Sequence, residues 1–168
     1  GLIMDADLFR DAARRRQADA ETVTRAIELK SSIVERDPKE HGDRRLLNLG
    51  HSVGHALEAA TGYSIRHGAA VGWGILFVVE LSRAVPGLPE DEAEEIRRGL
   101  EGVLPPTWPS DSEWARAFSY VARDKKAIAE GIDLVLLRSL GEAVRRPLSW
   151  MELEGAWRAP EAKTNEPE

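Results

Sequence analysis

The sequence predicts a mainly α-helical domain that carries one small two-stranded β element near residues 132–146. Apolar residues recur at three- and four-residue spacing over most of the chain, which is the pattern of amphipathic helices. Only the apolar runs on either side of Leu140-Gly141 are short and bounded by turn residues, as strands are. With 168 residues and 42% hydrophobic content, the chain is long enough for one core and does not require a second domain.

Proline, glycine and aspartate divide the chain into its predicted elements. Asp37-Pro38 ends the second helix, Gly62 is a left-handed cap for the third, and Pro86-Gly87 closes the fourth. The domain covers residues 1–158, and the polar segment 159–168 is expected to be a flexible tail. Helices are predicted at 5–16, 20–35, 45–61, 68–84, 90–102, 112–121 and 148–157, and strands at 132–137 and 142–145.

The fourth predicted helix is apolar on every side, so we expect it to lie in the core. Gly72 and Gly74 lower its helix propensity, which indicates that another backbone packs closely against it. Its longest apolar run, 68–79, is too short to span a bilayer and is followed by Glu80 and Arg83. We therefore expect no membrane partner.

Composition argues against several classes of function. A net charge of −6 disfavours nucleic acids and anionic membrane surfaces as partners, because those partners select basic patches. The chain has no cysteine, so any metal must be held by imidazole and carboxylate groups. No signal peptide is visible, and we expect a cytoplasmic protein. The chain opens with Gly1-Leu2-Ile3 and no initiator methionine, which suggests a fragment or a processed product.

A lysine interrupts the apolar stripe of the second predicted helix. Lys30 lies in the middle of a face formed by Val23, Ala26, Ile27, Ile33 and Val34. Two interpretations stay open for this lysine. Either its stem packs on the core while the amine reaches water, or the amine is buried in order to meet an anion.

The third predicted helix has a polar face of unusual composition. Opposite its apolar stripe it carries Arg44, Asn48, His51 and His55. Solvated helix faces usually carry Glu, Lys and Gln, whereas imidazole, amide and guanidinium groups serve as metal ligands and anion donors. Two histidines one turn apart form half of a zinc site, and His67, in a glycine-containing turn, is a candidate third ligand.

The segment 44–58, Arg-Arg-Leu-Leu-Asn-Leu-Gly-His-Ser-Val-Gly-His-Ala-Leu-Glu, closely resembles the signature of the 3-dehydroquinate synthase family. The likeness reaches nearly the whole chain up to about Trp157, and it implies the helical C-terminal domain of the dehydroquinate synthase-like fold. It also includes Lys30, Glu40, the His67-Gly68-Ala69-Ala70-Val71 element, the Arg123-Asp124-Lys125-Lys126 loop and the strand Leu134-Val135-Leu136-Leu137.

The resemblance implies a role for each candidate residue. The family holds its metal, Zn²⁺ or another divalent ion such as Co²⁺, by two histidines and one glutamate. The matching histidines are His51 and His67, and the glutamate belongs to a segment upstream of Gly1. His55 matches a histidine beside the substrate and, with Lys30, Arg44 and Asn48, is a catalytic candidate. Substrate-binding positions match Lys30, Glu40, Arg44, Asn48, His55, Lys125 and Lys126.

The reaction that the resemblance implies converts 3-deoxy-D-arabino-heptulosonate 7-phosphate into 3-dehydroquinate and phosphate, a lyase step of the shikimate pathway. NAD takes part catalytically and is bound mainly by an amino-terminal domain, whose glycine-rich phosphate loop this sequence lacks. The implied partners are the phosphorylated sugar acid, that amino-terminal domain and a second copy in a homodimer. We expect the chain alone to bind zinc weakly and to be inactive.

Other functions remain open. Another sugar-phosphate cyclase, such as a 2-deoxy-scyllo-inosose or valiolone-type synthase, shares the fold, NAD and the metal, although Arg44, Asn48 and His55 favour the dehydroquinate assignment. An alcohol dehydrogenase of the glycerol dehydrogenase type is a more distant alternative. A non-catalytic metal-binding helical module would need only His51, His55 and His67.

Overall fold

A computed structural model describes residues 1–16, 18–105, 109–122 and 131–157 of the chain. These ranges contain seven α-helices, one 3-10 helix and a two-stranded antiparallel sheet, so the predicted mainly helical fold is confirmed. None of these helices is long and apolar enough to cross a bilayer. The elements are α1 (Ala6–Arg15), α2 (Ala20–Arg36), the 3-10 helix (Asp43–Asn48), α3 (His51–Ala60), α4 (His67–Ala84), α5 (Glu90–Glu101), α6 (Asp111–Val121), β1 (Ile132–Ser139), β2 (Glu142–Leu148) and α7 (Trp150–Ala156).

Helix α4 is the centre of the core. Phe77, Val78 and Val79 are each 1% exposed, because α3, α5 and β1 all pack against this helix. Complete burial of one large apolar side chain contributes about 1.5–3 kcal/mol to stability. The all-round apolar pattern that predicted a buried helix is therefore confirmed, and the other helices are arranged around it.

Glycines bring the backbones of α3 and α4 into contact. A Cβ atom added at Gly74 would lie 2.2 Å from the carbonyl oxygen of Gly50 and 3.0 Å from the nitrogen of Gly54. One added at Gly54 would lie 3.0 Å from the Cα atom of Val71. Since real Cβ atoms do not tolerate the shortest of these distances, only glycine permits this approach. The close packing predicted for Gly74 is confirmed.

One buried hydroxyl group joins the sheet to α4. Ser82 is 0% exposed; its Oγ atom donates to the carbonyl oxygen of Val78 at 2.6 Å and accepts from the backbone N–H of Leu137 at 2.9 Å. Strand β1 pairs antiparallel with β2 from Ile132 opposite Leu148 to Ser139 opposite Glu142. The hairpin is thereby fixed against the core helix.

The prediction of the third helix is wrong for its first half. Residues 43–48 form the 3-10 helix, and α3 begins only at His51, after Gly50 adopts a left-handed φ of 75°. Gly50 also packs against α4: an atom at its Cβ position would lie 2.7 Å from the backbone nitrogen of Ile75, so only glycine fits at this break. Arg44 and Asn48 consequently do not share a helix face with His51 and His55.

Neither interpretation of Lys30 is confirmed, because the apolar stripe of α2 is buried only at Ile33, which is 1% exposed. Val23 is 43% exposed and Ile27 is 58% exposed, and Lys30 is exposed as well. Helix α2 contacts α1 and the 3-10 helix. In the described part of the chain, the stripe around Val23 and Ile27 is open to solvent.

Replacing Gly74 by alanine is expected to destabilise the chain by about 1–3 kcal/mol, because the added methyl group must displace backbone atoms. Gly68→Ala is the matched control, since Gly68 lies in the same helix and an added Cβ there meets nothing within 4 Å. Helix propensity makes that change neutral or stabilising by up to about 1 kcal/mol. Urea unfolding measures both variants, and equal stabilities would contradict the close contact.

Candidate metal and substrate site

The structure brings three histidines together where α3 and α4 begin. His51 is the first residue of α3, His55 follows one turn later, and His67 is the first residue of α4. The ring centroids are 5.8 Å apart for His51 and His55, 5.6 Å for His51 and His67, and 5.5 Å for His55 and His67. The glycine contact between the two helices thus sets the spacing of the cluster.

Glu58 is a member of this cluster that sequence reasoning missed. Its Oε2 atom lies 3.2 Å from Nδ1 of His67, and ligand atoms of His55, Glu58 and His67 all lie within 4.8 Å of one another. Glu58 follows His55 by three residues on the same helix, so helical spacing could have placed it there. A single glutamate on an amphipathic helix is normally interpreted as part of a solvated face.

The donor set suits a divalent transition metal. Imidazole nitrogens and carboxylate oxygens are the ligands that zinc takes when no thiolate is available. The ring of His51 is oriented by a backbone contact, because its Nδ1 atom lies 3.2 Å from the carbonyl oxygen of Leu49. A carbonyl can only accept a hydrogen bond, so Nδ1 carries the proton and Nε2 has a free lone pair. His51 is half-buried, whereas His55 and His67 are exposed.

Asp37 organises the loop between α2 and the 3-10 helix. Its carboxylate accepts hydrogen bonds from the backbone N–H groups of His41, Gly42 and Arg44 at 3.0, 2.8 and 3.1 Å. These donors, Gly42 first, lower the pKa of the Asp37 carboxyl below its usual value because they favour the charged form. Sequence reasoning interpreted Asp37-Pro38 only as the end of a helix.

The same loop gathers three of the predicted substrate-binding residues. The Nδ2 group of Asn48 donates to Oε1 of Glu40 at 3.2 Å, and Nη1 of Arg44 donates to the carbonyl oxygen of Pro38 at 3.0 Å. Glu40 has a left-handed φ of 57°, a conformation that costs a non-glycine residue about 1–2 kcal/mol. Its carbonyl oxygen accepts from Nε of Arg45 at 3.0 Å, which helps to hold that conformation.

The remaining predicted residues lie apart from these two groups or outside the described ranges. Lys30 is exposed on α2, and Lys125 and Lys126 lie outside the residues that the structure describes. His55 opens onto a cavity of 370 Å³ whose walls come from α3, α6, β1 and α7. A larger groove of 720 Å³ between α1 and α5 is remote from the histidines, and its Arg10 is paired with Glu95.

The fold has neighbours among solved sugar-phosphate cyclases. The 2-epi-5-epi-valiolone synthase from Streptomyces hygroscopicus subsp. jinggangensis, solved with NAD⁺ and Zn²⁺ bound, superposes with a TM-score of 0.65 at 25% identity, covering 92% of this chain and 46% of that chain. A 2-deoxy-scyllo-inosose synthase superposes with a TM-score of 0.70 at 20% identity, covering 82% of this chain and 39% of that one. The latter likeness establishes the fold alone.

Residues 1–127 match the 3-dehydroquinate synthase C-terminal family, and the chain belongs to that family. It is 40% identical over 137 residues to the 3-dehydroquinate synthase of Aeropyrum pernix, covering 81% of this chain and 38% of the relative. It is 38% identical over 157 residues to that of Cereibacter sphaeroides, covering 85% and 42%. The chain thus spans well under half the length of these curated relatives.

The lowered pKa of Asp37 predicts that its loop is sensitive to acid. The stabilisation from this carboxylate is complete above the pKa that it has in the unfolded chain, and it is lost as pH falls through the lower pKa of the folded state. We expect the amide NMR signals of His41, Gly42 and Arg44 to shift together over that acidic range. In Asp37→Asn they should stay still, and an unchanged titration in that variant would contradict the assignment.

Proposed function

We propose that this chain is the metal- and substrate-binding part of a 3-dehydroquinate synthase. The complete enzyme would be a cytoplasmic, homodimeric lyase of the shikimate pathway that converts 3-deoxy-D-arabino-heptulosonate 7-phosphate to 3-dehydroquinate and phosphate. The observation that carries the proposal is the convergence of His51, His55 and His67, within a chain whose residues 1–127 match the C-terminal family of this enzyme. Residues 1–158 would form this part, with NAD bound mainly by an amino-terminal domain.

In the proposed site, His51 and His67 hold the metal through neutral imidazole nitrogens, and a glutamate outside this chain completes the set. When bound, Zn²⁺ or Co²⁺ supplies Lewis acidity at a substrate hydroxyl and NAD supplies reversible hydride transfer. Support comes from two solved neighbours, one with NAD⁺ and Zn²⁺ and one with carbaglucose-6-phosphate, NAD⁺ and Co²⁺. The residues of this chain position the substrate around that metal.

The substrate carries a carboxylate and a phosphate, so its site needs cations and hydrogen-bond donors. In the proposed arrangement Arg44, Lys30 and the lysines at 125 and 126 meet those anionic groups. One N–H of the Asn48 amide is engaged by Glu40 at 3.2 Å, which leaves the amide oxygen and the second N–H to bind a substrate hydroxyl. His55, exposed at the edge of the cavity, exchanges protons with the hydroxyls and the leaving phosphate.

The described residues of this chain do not form a binding site for NAD. NAD-binding folds place the pyrophosphate on a glycine-rich turn between a parallel strand and a helix. The described ranges contain a single sheet, and its two strands are antiparallel. NAD would therefore be bound by another part of the enzyme.

A second candidate is another sugar-phosphate cyclase, which the likeness to 2-deoxy-scyllo-inosose and 2-epi-5-epi-valiolone synthases favours. Such an enzyme would use the same metal site with a different sugar phosphate. The identities of 38–42% to 3-dehydroquinate synthases, against 20–25% to these structures, favour the dehydroquinate assignment. Turnover of a hexose 6-phosphate in place of the heptulosonate would favour the second candidate.

The metal role of the cluster can be tested on the chain alone. His51→Ala and His67→Ala are each expected to weaken Zn²⁺ binding at least tenfold, because each removes one of two imidazole ligands. His41→Ala is the matched control, since His41 is exposed in the loop beside Asp37 and outside the cluster. Calorimetric titration gives the three affinities, and equal losses in all three variants would contradict a site at the cluster.

The substrate role of Arg44 can be tested by phosphate release from the heptulosonate phosphate. The chain alone should release none, and the chain joined to its amino-terminal segment should be active. In the active form Arg44→Ala is expected to lower kcat/KM roughly 10- to 100-fold, since a charged hydrogen bond to an anion is lost. Robust turnover by the chain alone would overturn the proposal. Unchanged turnover in Arg44→Ala would remove Arg44 from the site.

A further inference from the structure

We propose that Glu58 is a positioning residue for the metal centre: its carboxylate holds a proton on Nδ1 of His67, so that Nε2 of this histidine is free to bind the metal. The inference rests on the proposed metal-binding function and extends it to a residue inside the chain. Glu58 is the one carboxylate that shares the histidine cluster in the described ranges.

The contact itself defines the tautomer of His67. Nδ1 of His67 lies 3.2 Å from Oε2 of Glu58. An ionised carboxylate can only accept a hydrogen bond, so Nδ1 is the donor. In a neutral imidazole the other nitrogen then has a free lone pair, which is the form that a metal binds. A carboxylate in this position also increases the basicity of the ligand nitrogen.

The backbone of Glu58 is fixed and its side chain is largely buried. The side chain is 15% exposed, against 55% for His67, and its neighbour Leu57 is completely buried. The carbonyl oxygen of Glu58 accepts from the N–H of Tyr63 at 2.7 Å and from the hydroxyl of Thr61 at 3.1 Å, which fixes the main chain at the end of α3. The exposed imidazole of His67 therefore contacts a carboxylate that is largely shielded from solvent.

The two proposed metal ligands share one feature that the third histidine lacks. His51 has its Nδ1 atom 3.2 Å from the carbonyl oxygen of Leu49, and His67 has its Nδ1 atom 3.2 Å from Glu58. Both histidines are thus prepared with Nε2 free. His55, which is proposed to meet the substrate, makes no such hydrogen bond within the ranges that the structure describes. The Nδ1 contacts therefore distinguish the proposed metal ligands, His51 and His67, from His55, which is proposed to meet the substrate.

Glu58 could instead bind the metal directly with His55 and His67, since their ligand atoms lie within 4.8 Å of one another. Substitution by glutamine separates the two roles. The amide oxygen of Gln can still accept from Nδ1 of His67, whereas an amide is a poor zinc ligand. A positioning role therefore predicts that Glu58→Gln largely preserves metal binding, and a ligand role predicts that it does not.

The tautomer is measured first, without metal, by long-range ¹H–¹⁵N NMR of the ¹⁵N-histidine-labelled chain, on the neutral form of each imidazole. We expect His67 to carry its proton on Nδ1 in the wild type and in Glu58→Gln, and to change toward Nε2 in Glu58→Ala. His51 should be unchanged in all three, because its acceptor is the backbone. An unchanged His67 tautomer in Glu58→Ala would overturn the inference.

Zn²⁺ affinity is measured next on the same variants, with thermal unfolding as a check that each is folded. Glu58→Ala is expected to bind Zn²⁺ about 10- to 100-fold more weakly than the wild type, and Glu58→Gln within a few-fold of it. Glu95→Gln is the matched control, because Glu95 is a partly exposed helical glutamate paired with Arg10 and remote from the cluster. It should bind Zn²⁺ as the wild type does.

The outcomes distinguish this inference from the proposed function. Wild-type affinity in Glu58→Ala, or an equal loss in Glu58→Ala and Glu58→Gln, overturns the positioning role while the metal site stands. If the wild type shows the expected tautomer but binds no Zn²⁺, the proposed metal function fails while the contact between Glu58 and His67 is supported.

Discussion

The backbone contact between α3 and α4 is the constraint on which the rest of the structure depends. Gly50, Gly54 and Gly74 let the two helices meet without side chains between them. Because His51 and His55 belong to α3 and His67 belongs to α4, this contact fixes the distance between the two sources of imidazole. The spacing of the cluster is therefore set by main-chain atoms.

The second half of the site depends on a different kind of constraint. The loop that carries Glu40 and leads into the 3-10 helix of Arg44 is shaped by the Asp37 carboxylate and by hydrogen bonds to backbone groups. These interactions outweigh the cost of the left-handed Glu40. The histidines are thus placed by packing, whereas Glu40, Arg44 and Asn48 are placed by polar contacts.

Sequence periodicity predicted correctly those elements whose apolar pattern matches the surroundings they have in the fold. Helix α4 is apolar all round and lies in the core, and the hairpin around Leu140-Gly141 has the expected turn. The break between Asn48 and His51 was missed because the apolar pattern continues through it, and the left-handed Gly50 packed against α4 is seen only in the structure. For α2, the pattern indicated an apolar face correctly but could not say which surface that face meets.

The residues of the site also divide into those that the sequence predicted and those that it missed. Its histidines and the Arg44 loop were recognisable because their residue types are unusual at their positions, and because an extended motif is shared with a known family. Asp37 and Glu58 were missed because a helix-ending aspartate and a helical glutamate are common and carry no signal of their own. Their importance lies in what they contact, which only the three-dimensional arrangement supplies.

On α2, Val23 and Ile27 lie one turn apart and Lys30 follows them, so an ammonium group stands at the end of an exposed apolar strip. A surface that covers this strip also removes water from the ammonium group, which costs free energy unless an anion pairs with it. Covering the strip and binding an anion at Lys30 would then be thermodynamically linked, each raising the affinity for the other by the same factor.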